Sequence, residues 1–138
     1  MPDSPLSEAA LEFLRKPNPA VMATVTSSGL PVSVATWYFV EDDQSLMLCM
    51  NADRARLKHL KNNGHVALTV LAADDFGTHI SLQAHVESIE PDTGLADIDR
   101  LSRHFLGKDY PARDRPLVTV HATIDKWFGW SEGQAAKF

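Results

Sequence analysis

Six runs rich in β-branched and aromatic residues, most of them joined by hairpin-length turns, limit this chain more than any other feature. They are Ala20–Thr26 (AVMATVT), Pro31–Val40 (PVSVATWYFV), Leu46–Met50 (LMLCM), His65–Leu71 (HVALTVL), Thr78–Ile89 (THISLQAHVESI) and Leu117–Trp127 (LVTVHATIDKW). Such segments suit a pleated, half-buried surface. Ser27-Ser28-Gly29 and Glu41-Asp42-Asp43-Gln44 read as turns between neighbours, and Ala72–Gly77 as a polar loop. Parallel strands would need a helical crossover after each strand, and the chain lacks that rhythm. The expected fold is therefore mainly β (α+β): six antiparallel strands closed into a small barrel, with a few short helices packed outside.

Three helices are expected. Ser7 is placed to cap Glu8–Arg15, with Leu6 and Leu11 as a hydrophobic staple, and Pro17-Asn18-Pro19 stops that helix. The stretch NADRARLKHLKNN forms a second, ended at Asn63-Gly64 by an expected left-handed cap. A third carries Leu95, Ile98, Leu101 and Phe105 on one stripe. At 138 residues this makes a single domain over 1–138, with 1–19 as N-terminal helix and linker and 131–138 as a loose tail. A net charge of −5 argues against a nucleic-acid binder or a protein bound to acidic membranes. The lone cysteine, Cys49, cannot form an intrachain disulfide, which fits a reducing compartment. The sequence MPDSPLSEAALEF lacks the layout of a signal peptide, and no apolar run approaches the ~20 residues of a membrane span. A soluble, cytoplasmic protein is expected.

The stretch NADRARLKHL, Asn51–Leu60, holds an electrostatic oddity. Arg54 and Arg56 stand in the expected first turn of the second helix. Cations there oppose the positive end of the helix dipole, at roughly 0.3–1 kcal/mol each. An anion bound at this point would reverse the sign: exposed N–H groups, dipole and guanidinium forks would act on one phosphate. Lys58 and Lys61 extend the basic surface. The alternative is a solvated basic face, although such a helix would favour acids in its first turn. No GxxxxGK or GxGxxG loop occurs.

Other candidate chemistry is weaker. The six histidines, His59, His65, His79, His85, His104 and His121, show no HExxH and no Cys/His cluster, so no metal site is expected. A serine triad lacks its GxSxG elbow. Cys49, inside an apolar run, reads as a packed thiol. Trp37, Tyr38, Trp127, Phe128 and Trp130 read as core aromatics, with Trp130, after Gly129, the best candidate to border a flat ring ligand.

The ordered set GLPVSVATWYF, LMLCMNADRARLKHLKNNGHVALTVL, HISLQAHVESI and DKWFGW resembles the flavin/deazaflavin split-barrel proteins, the pyridoxamine-phosphate-oxidase-like superfamily. Within it the chain is most similar to the F420-dependent oxidoreductases, over Ala20–Trp130. The resemblance implies a split-barrel homodimer with two cofactor sites at the subunit interface. It assigns the cofactor phosphate to Arg54 and Arg56, with Lys58 reaching the phosphate or the acidic tail of coenzyme F420. It places Ser33, Val34, Ala35 and Thr36, with Leu48, Cys49, Met50 and Asn51, around the tricyclic ring, and His79 and Trp130 as contributors from the partner chain.

Three departures qualify the resemblance. Arg56 stands where lysine is frequent; Gln83-Ala84 replaces an expected basic-glycine pair; and no arginine follows Arg115, so vitamin B6 oxidation is not expected. The implied activity is hydride transfer from reduced F420 to an enone, quinone or tetrapyrrole acceptor, with no protein nucleophile and no assigned catalytic residue. An FMN-dependent oxidase or flavin reductase of the same fold, and a non-catalytic cofactor-binding protein, are the alternatives.

Overall fold

The computed structural model describes residues 5–131, 134, 135 and 138. Its helices are α1 (Glu8–Leu14), α2 (Ala55–Asn62) and α3 (Ala96–Leu106). Its strands are β1 (Ala20–Val25), β2 (Pro31–Thr36), β3 (Phe39–Val40), β4 (Leu46–Asn51), β5 (His65–Ala72), β6 (Asp75–Pro91), β7 (Leu117–Ser131) and β8 (Gln134–Ala135). The main sheet runs β2-β1-β5-β6-β7-β4-β3, every neighbouring pair is antiparallel, and β8 adds to β7.

The topology itself forces closure. β2 and β3 lie at opposite ends of the strand order, yet only Trp37 and Tyr38 separate them in the chain. Three residue steps span at most roughly 10 Å, so the sheet must curl until its ends nearly meet. The result is a barrel left open where β2 and β3 fail to pair.

Eight strands replace the six expected, for two physical reasons. The run Pro31–Val40 breaks at Trp37-Tyr38, where Thr36 Oγ1 donates to the Trp37 carbonyl (2.9 Å) and the Tyr38 ring turns into the core. Within the tail expected to be loose over 131–138, Gln134–Ala135 forms β8 and Phe138 packs edge-on against Phe13 at 5.1 Å between ring centroids, while 132, 133, 136 and 137 lie outside the described residues. Phe138 also lies against Gly129, leaving no room there for a Cβ. The expected polar loop Ala72–Gly77 is a two-residue turn between β5 and β6, with the Asp75 carboxylate accepting from Gly77 N (3.0 Å) and Thr78 Oγ1 (2.9 Å). The left-handed cap expected at Asn63-Gly64 is absent. Asn63 is extended (φ −136°, ψ 110°), and its side chain accepts from His65 N at 3.0 Å, leading straight into β5.

β4 explains how the core is shared. All five residues of Leu46–Met50 are buried. Leu46, Leu48 and Met50 point into the barrel with Met22, Leu68, Ile80, Leu82 and Val120. Met47 and Cys49 point outward, beneath Ile98 and Leu101 of α3. The strand is covered on both faces, which is why its sequence is continuously apolar rather than alternating. At the start of α3, Asp97 N and Ile98 N both donate to the buried Asp92 carboxylate (2.9 Å each), so this acid supplies the acceptors a helix start needs.

Candidate functional site

A cavity of about 590 Å³ opens where β4, the start of α2 and the barrel-facing side of α3 converge. Its lining includes Ala35, Thr36 and Trp37 at the end of β2, Cys49, Met50 and Asn51 of β4, and Arg54 and Arg56. α3 adds Ile98, Leu101 and Phe105, the loop after it Tyr110, β7 its first residue Leu117, and Pro17 and Pro19 form one edge.

The basic corner is built by local folding. β4 ends at Asn51, whose carbonyl accepts from Arg54 N at 3.1 Å, and Ala52 N donates to the Pro116 carbonyl at 3.0 Å. This tight exit turns the chain into α2 with Arg54 as the capping residue, extended (φ −70°, ψ 139°) and offering no side-chain acceptor. The helix proper thus begins at Ala55 and not within the Asn51–Arg54 stretch, so of the two arginines expected in its first turn only Arg56 stands there, and that turn carries no acid. The first N–H groups therefore lack a side-chain partner.

Arg56 is the decisive residue. Its Nε is buried and has no hydrogen-bond partner, and burial, followed by the like charge of Arg54, lowers its pKa. Among the described residues neither Arg54 nor Arg56 forms an ion pair. A partly buried guanidinium with an orphaned donor, next to a second cation, is a costly arrangement that a bound anion would relieve. The residues present fit a phosphorylated ligand.

The opposite character prevails along α3. Trp37 and Phe105 stack nearly parallel (7°, centroids 5.6 Å apart), and Tyr110 meets Trp37 edge-on (83°, 6.1 Å). The Cys49 thiol is packed against Thr119 Oγ1 at 3.9 Å, and burial pushes its pKa up to about 12, so it is a neutral group and not a nucleophile at ordinary pH.

The chain thus brings together seven of the thirteen residues singled out from sequence: Ala35, Thr36, Cys49, Met50, Asn51, Arg54 and Arg56. The other six lie elsewhere in this protomer. Ser33 and Val34 are exposed on β2. Leu48 is fully buried inside the barrel, because it alternates with the outward Met47 and Cys49. Lys58 is exposed on α2, away from the cavity lining. His79 and Trp130 are direct cross-strand partners on β6 and β7, and they too fall outside that lining. Sequence reasoning overlooked Tyr110, Phe105 and the Pro17/Pro19 edge. The two prolines bracketing Asn18 were visible only as a helix stop. Among the described residues no group of three or more His, Cys, Asp or Glu side chains is placed to hold a metal ion.

A family model described as pyridoxamine 5'-phosphate oxidase matches residues 6–131. The chain belongs to that family. Solved structures agree on the fold. An F420 reductase superposes with a TM-score of 0.79 at 24% identity, covering 88% of this chain and 98% of the other. A putative pyridoxamine 5'-phosphate oxidase from Listeria innocua gives 0.66 at 16% identity, covering 92% and 98%. A nimc/nima family protein from Clostridium acetobutylicum gives 0.65 at 21% identity, covering 91% and 87%. A comparison with curated proteins returns no match. This member of the pyridoxamine 5'-phosphate oxidase family is therefore a mainly antiparallel split barrel with three α-helices outside it. No helix among the described residues is long and apolar enough to cross a membrane.

Proposed function

We propose that this protein is an F420-dependent reductase that delivers a hydride to an unsaturated small-molecule acceptor of the enone, quinone or tetrapyrrole type. The observation that carries the reading is the unpartnered, buried Nε of Arg56 beside Arg54 at the edge of a cavity large enough for a tricyclic ring. The F420 reductase fold neighbour supports the choice of cofactor.

When bound, reduced F420 supplies the hydride. The protein's own part is to hold and shield. Arg54, Arg56 and the free N–H groups of α2 bind the phosphate. Ala35, Thr36, Cys49 and Met50 offer a smooth wall for the ring. Met50 and Cys49 form its buried part, at 2% and 7% exposure, and Ala35 and Thr36 its more exposed edge. No cationic or nucleophilic side chain is required at the reacting carbon. Of the residues expected to serve, Lys58 would reach only the acidic tail, and His79 and Trp130 would act across a subunit boundary.

That boundary is part of the proposal. β2 is exposed along most of its length, and Val21, Phe128 and Trp130 present large apolar side chains to the outside of the sheet. A second copy of this chain is the occupant we assign to this face, in the cytoplasm. FMN is the second reading, favoured by the match to the pyridoxamine 5'-phosphate oxidase family. Separate titration of the full chain with F420 and with FMN decides between them, the F420 reading requiring the tighter binding. Arg54→Ala should weaken the preferred cofactor roughly ten- to a hundredfold, as loss of a charged hydrogen bond does. Equal affinity of wild type and variant would defeat the phosphate assignment.

A further inference from the structure

Tyr110 sits in a loop with no regular structure, yet both of its backbone polar groups are fixed. Its N–H donates to Asp99 Oδ1 at 2.9 Å, and its carbonyl accepts from Arg113 Nη1 at 3.0 Å. Asp99 and Arg113 are themselves joined as a two-pronged pair, Nη1 to Oδ1 at 2.9 Å and Nη2 to Oδ2 at 3.1 Å. Asp99 lies on α3 and is buried, so the loop is latched to the helix that forms the cavity wall. A fork-to-fork arginine–carboxylate pair fixes orientation as well as distance. What it holds is a ring edge-on to Trp37, in an aromatic cluster with Phe105 that lines the cavity.

We infer that Tyr110, positioned by the Asp99–Arg113 latch, is the specificity-determining residue for the acceptor, selecting flat, uncharged, conjugated molecules against anionic ones. The inference rests on the proposed reductase reading and adds the acceptor side to it. Trp37, Phe105, Tyr110, Ile98 and Leu101 present rings and aliphatic groups, and the cavity's two lining cations are the arginines assigned to the cofactor phosphate. An anionic acceptor brought against that wall would lose its hydration without gaining a partner, whereas a flat neutral ring would gain stacked and edge contacts. Arg113 is a positioning residue: it faces its partners and not the acceptor.

The test uses the full chain, with a naphthoquinone and its sulfonated analogue as probes. Reduction of either consumes one hydride from reduced F420 and one proton from water. Probe binding is also read without turnover, as quenching of tryptophan fluorescence, with Trp37→Phe identifying the responding residue. Tyr110→Ala should weaken naphthoquinone binding roughly fivefold, the scale of one aromatic pair, while the sulfonate changes less and selectivity falls. Arg113→Met should shift selectivity the same way, Arg113→Lys less so, and F420 affinity should stay within about twofold in all three variants. Unchanged quenching and unchanged selectivity in both Tyr110→Ala and Arg113→Met, with F420 still bound, would overturn the inference. Absence of F420 binding in wild type would instead defeat the reductase reading. The fluorescence comparison would still judge the aromatic wall by itself.

Discussion

Two sets of arginines in this protein have opposite surroundings. Along α3 and its following loop, every arginine up to Arg113 is matched by an acid. Arg100 reaches both oxygens of Glu41 (2.6 and 3.2 Å) and lies over the Phe39 ring, Arg103 pairs with Asp109 (2.6 Å), and Arg113 with Asp99. At the start of α2, neither Arg54 nor Arg56 has an ion-pair partner among the described residues, and the charge acting on Arg56 is the like charge of Arg54. The pKa directions follow: pairing raises Arg100, Arg103 and Arg113, while burial lowers Arg56. Arginines whose counter-charge is built into the chain serve the fold. Arg56, half-buried and without one, has no such role in the fold, which is the basis of its proposed assignment to the cofactor phosphate.

The sharpest way to break this contrast is Arg56→Met. The change keeps an apolar stem and removes an unpartnered buried donor together with a like-charge repulsion. Cofactor affinity should fall roughly ten- to a hundredfold, while the melting temperature stays level or rises. Isothermal titration and thermal unfolding on the same preparation separate the two effects. A clear loss of stability with intact affinity would show Arg56 to be a structural arginine like those of α3, and the contrast would fail.

The complementary experiment cuts on the α3 side. Asp92→Ala removes the acceptor of two helix-start N–H groups at a site only 7% exposed. It should cost about 1–2 kcal/mol of stability, seen as a lower denaturation midpoint, with cofactor affinity changed by less than about twofold. If affinity fell as steeply as in Arg56→Met, the helix and the basic corner would have to be one cooperative unit.

What the sequence disclosed, and what it withheld, follows the same division between local and assembled features. The continuous apolar run Leu46–Met50, the stripe Leu95, Ile98, Leu101 and Phe105, and the acid-free start of α2 each express a physical cost within a few residues, so they could be read directly. The break at Trp37-Tyr38 could not, because both residues favour strands; only the burial of Tyr38 under α1, with its hydroxyl on the Lys16 carbonyl (3.1 Å), requires it. Gly64 after Asn63 looked like a helix cap, but pairing of Val86 N with the Gly64 carbonyl (2.7 Å) pulls the chain into the sheet. Tyr110 was hidden for the same reason. Its place depends on Asp99 and Arg113, and nothing in a proline-bearing loop of mixed charge announces which acid will meet which base. His79 and Trp130, expected to serve the site from a partner chain, are cross-strand partners on β6 and β7 and lie outside this protomer's cavity, a pairing of distant segments that no local pattern announces.

The smallest expected effect extends the contrast to a third ionisable group with built-in partners. On the exposed side of β6 and β7, His85 Nδ1 contacts the Asp125 carboxylate (2.8 and 2.9 Å) and Nε2 contacts Glu87 (2.6 Å), which also accepts from Thr123 Oγ1 (2.9 Å). Hydrogen bonds to Asp125 and then Glu87 raise the His85 pKa, and the Thr123 bond followed by His85 lowers that of Glu87. A raised histidine stabilises the fold fully below its unfolded pKa of about 6.5, and that contribution fades as pH climbs through the higher folded value. A lowered glutamate stabilises above its unfolded pKa of about 4.3, and loses this as pH drops through the folded value. The cluster should therefore help most between about pH 5 and 6.5. The melting temperature of wild type minus that of His85→Gln should peak in this window, decline on both sides and shrink with added salt, as exposed charge pairs do. A difference that stayed flat with pH would mean that these groups meet without coupling their protons. In either case cofactor affinity should be untouched, because a histidine with its counter-charges already in place has nothing left to offer a ligand.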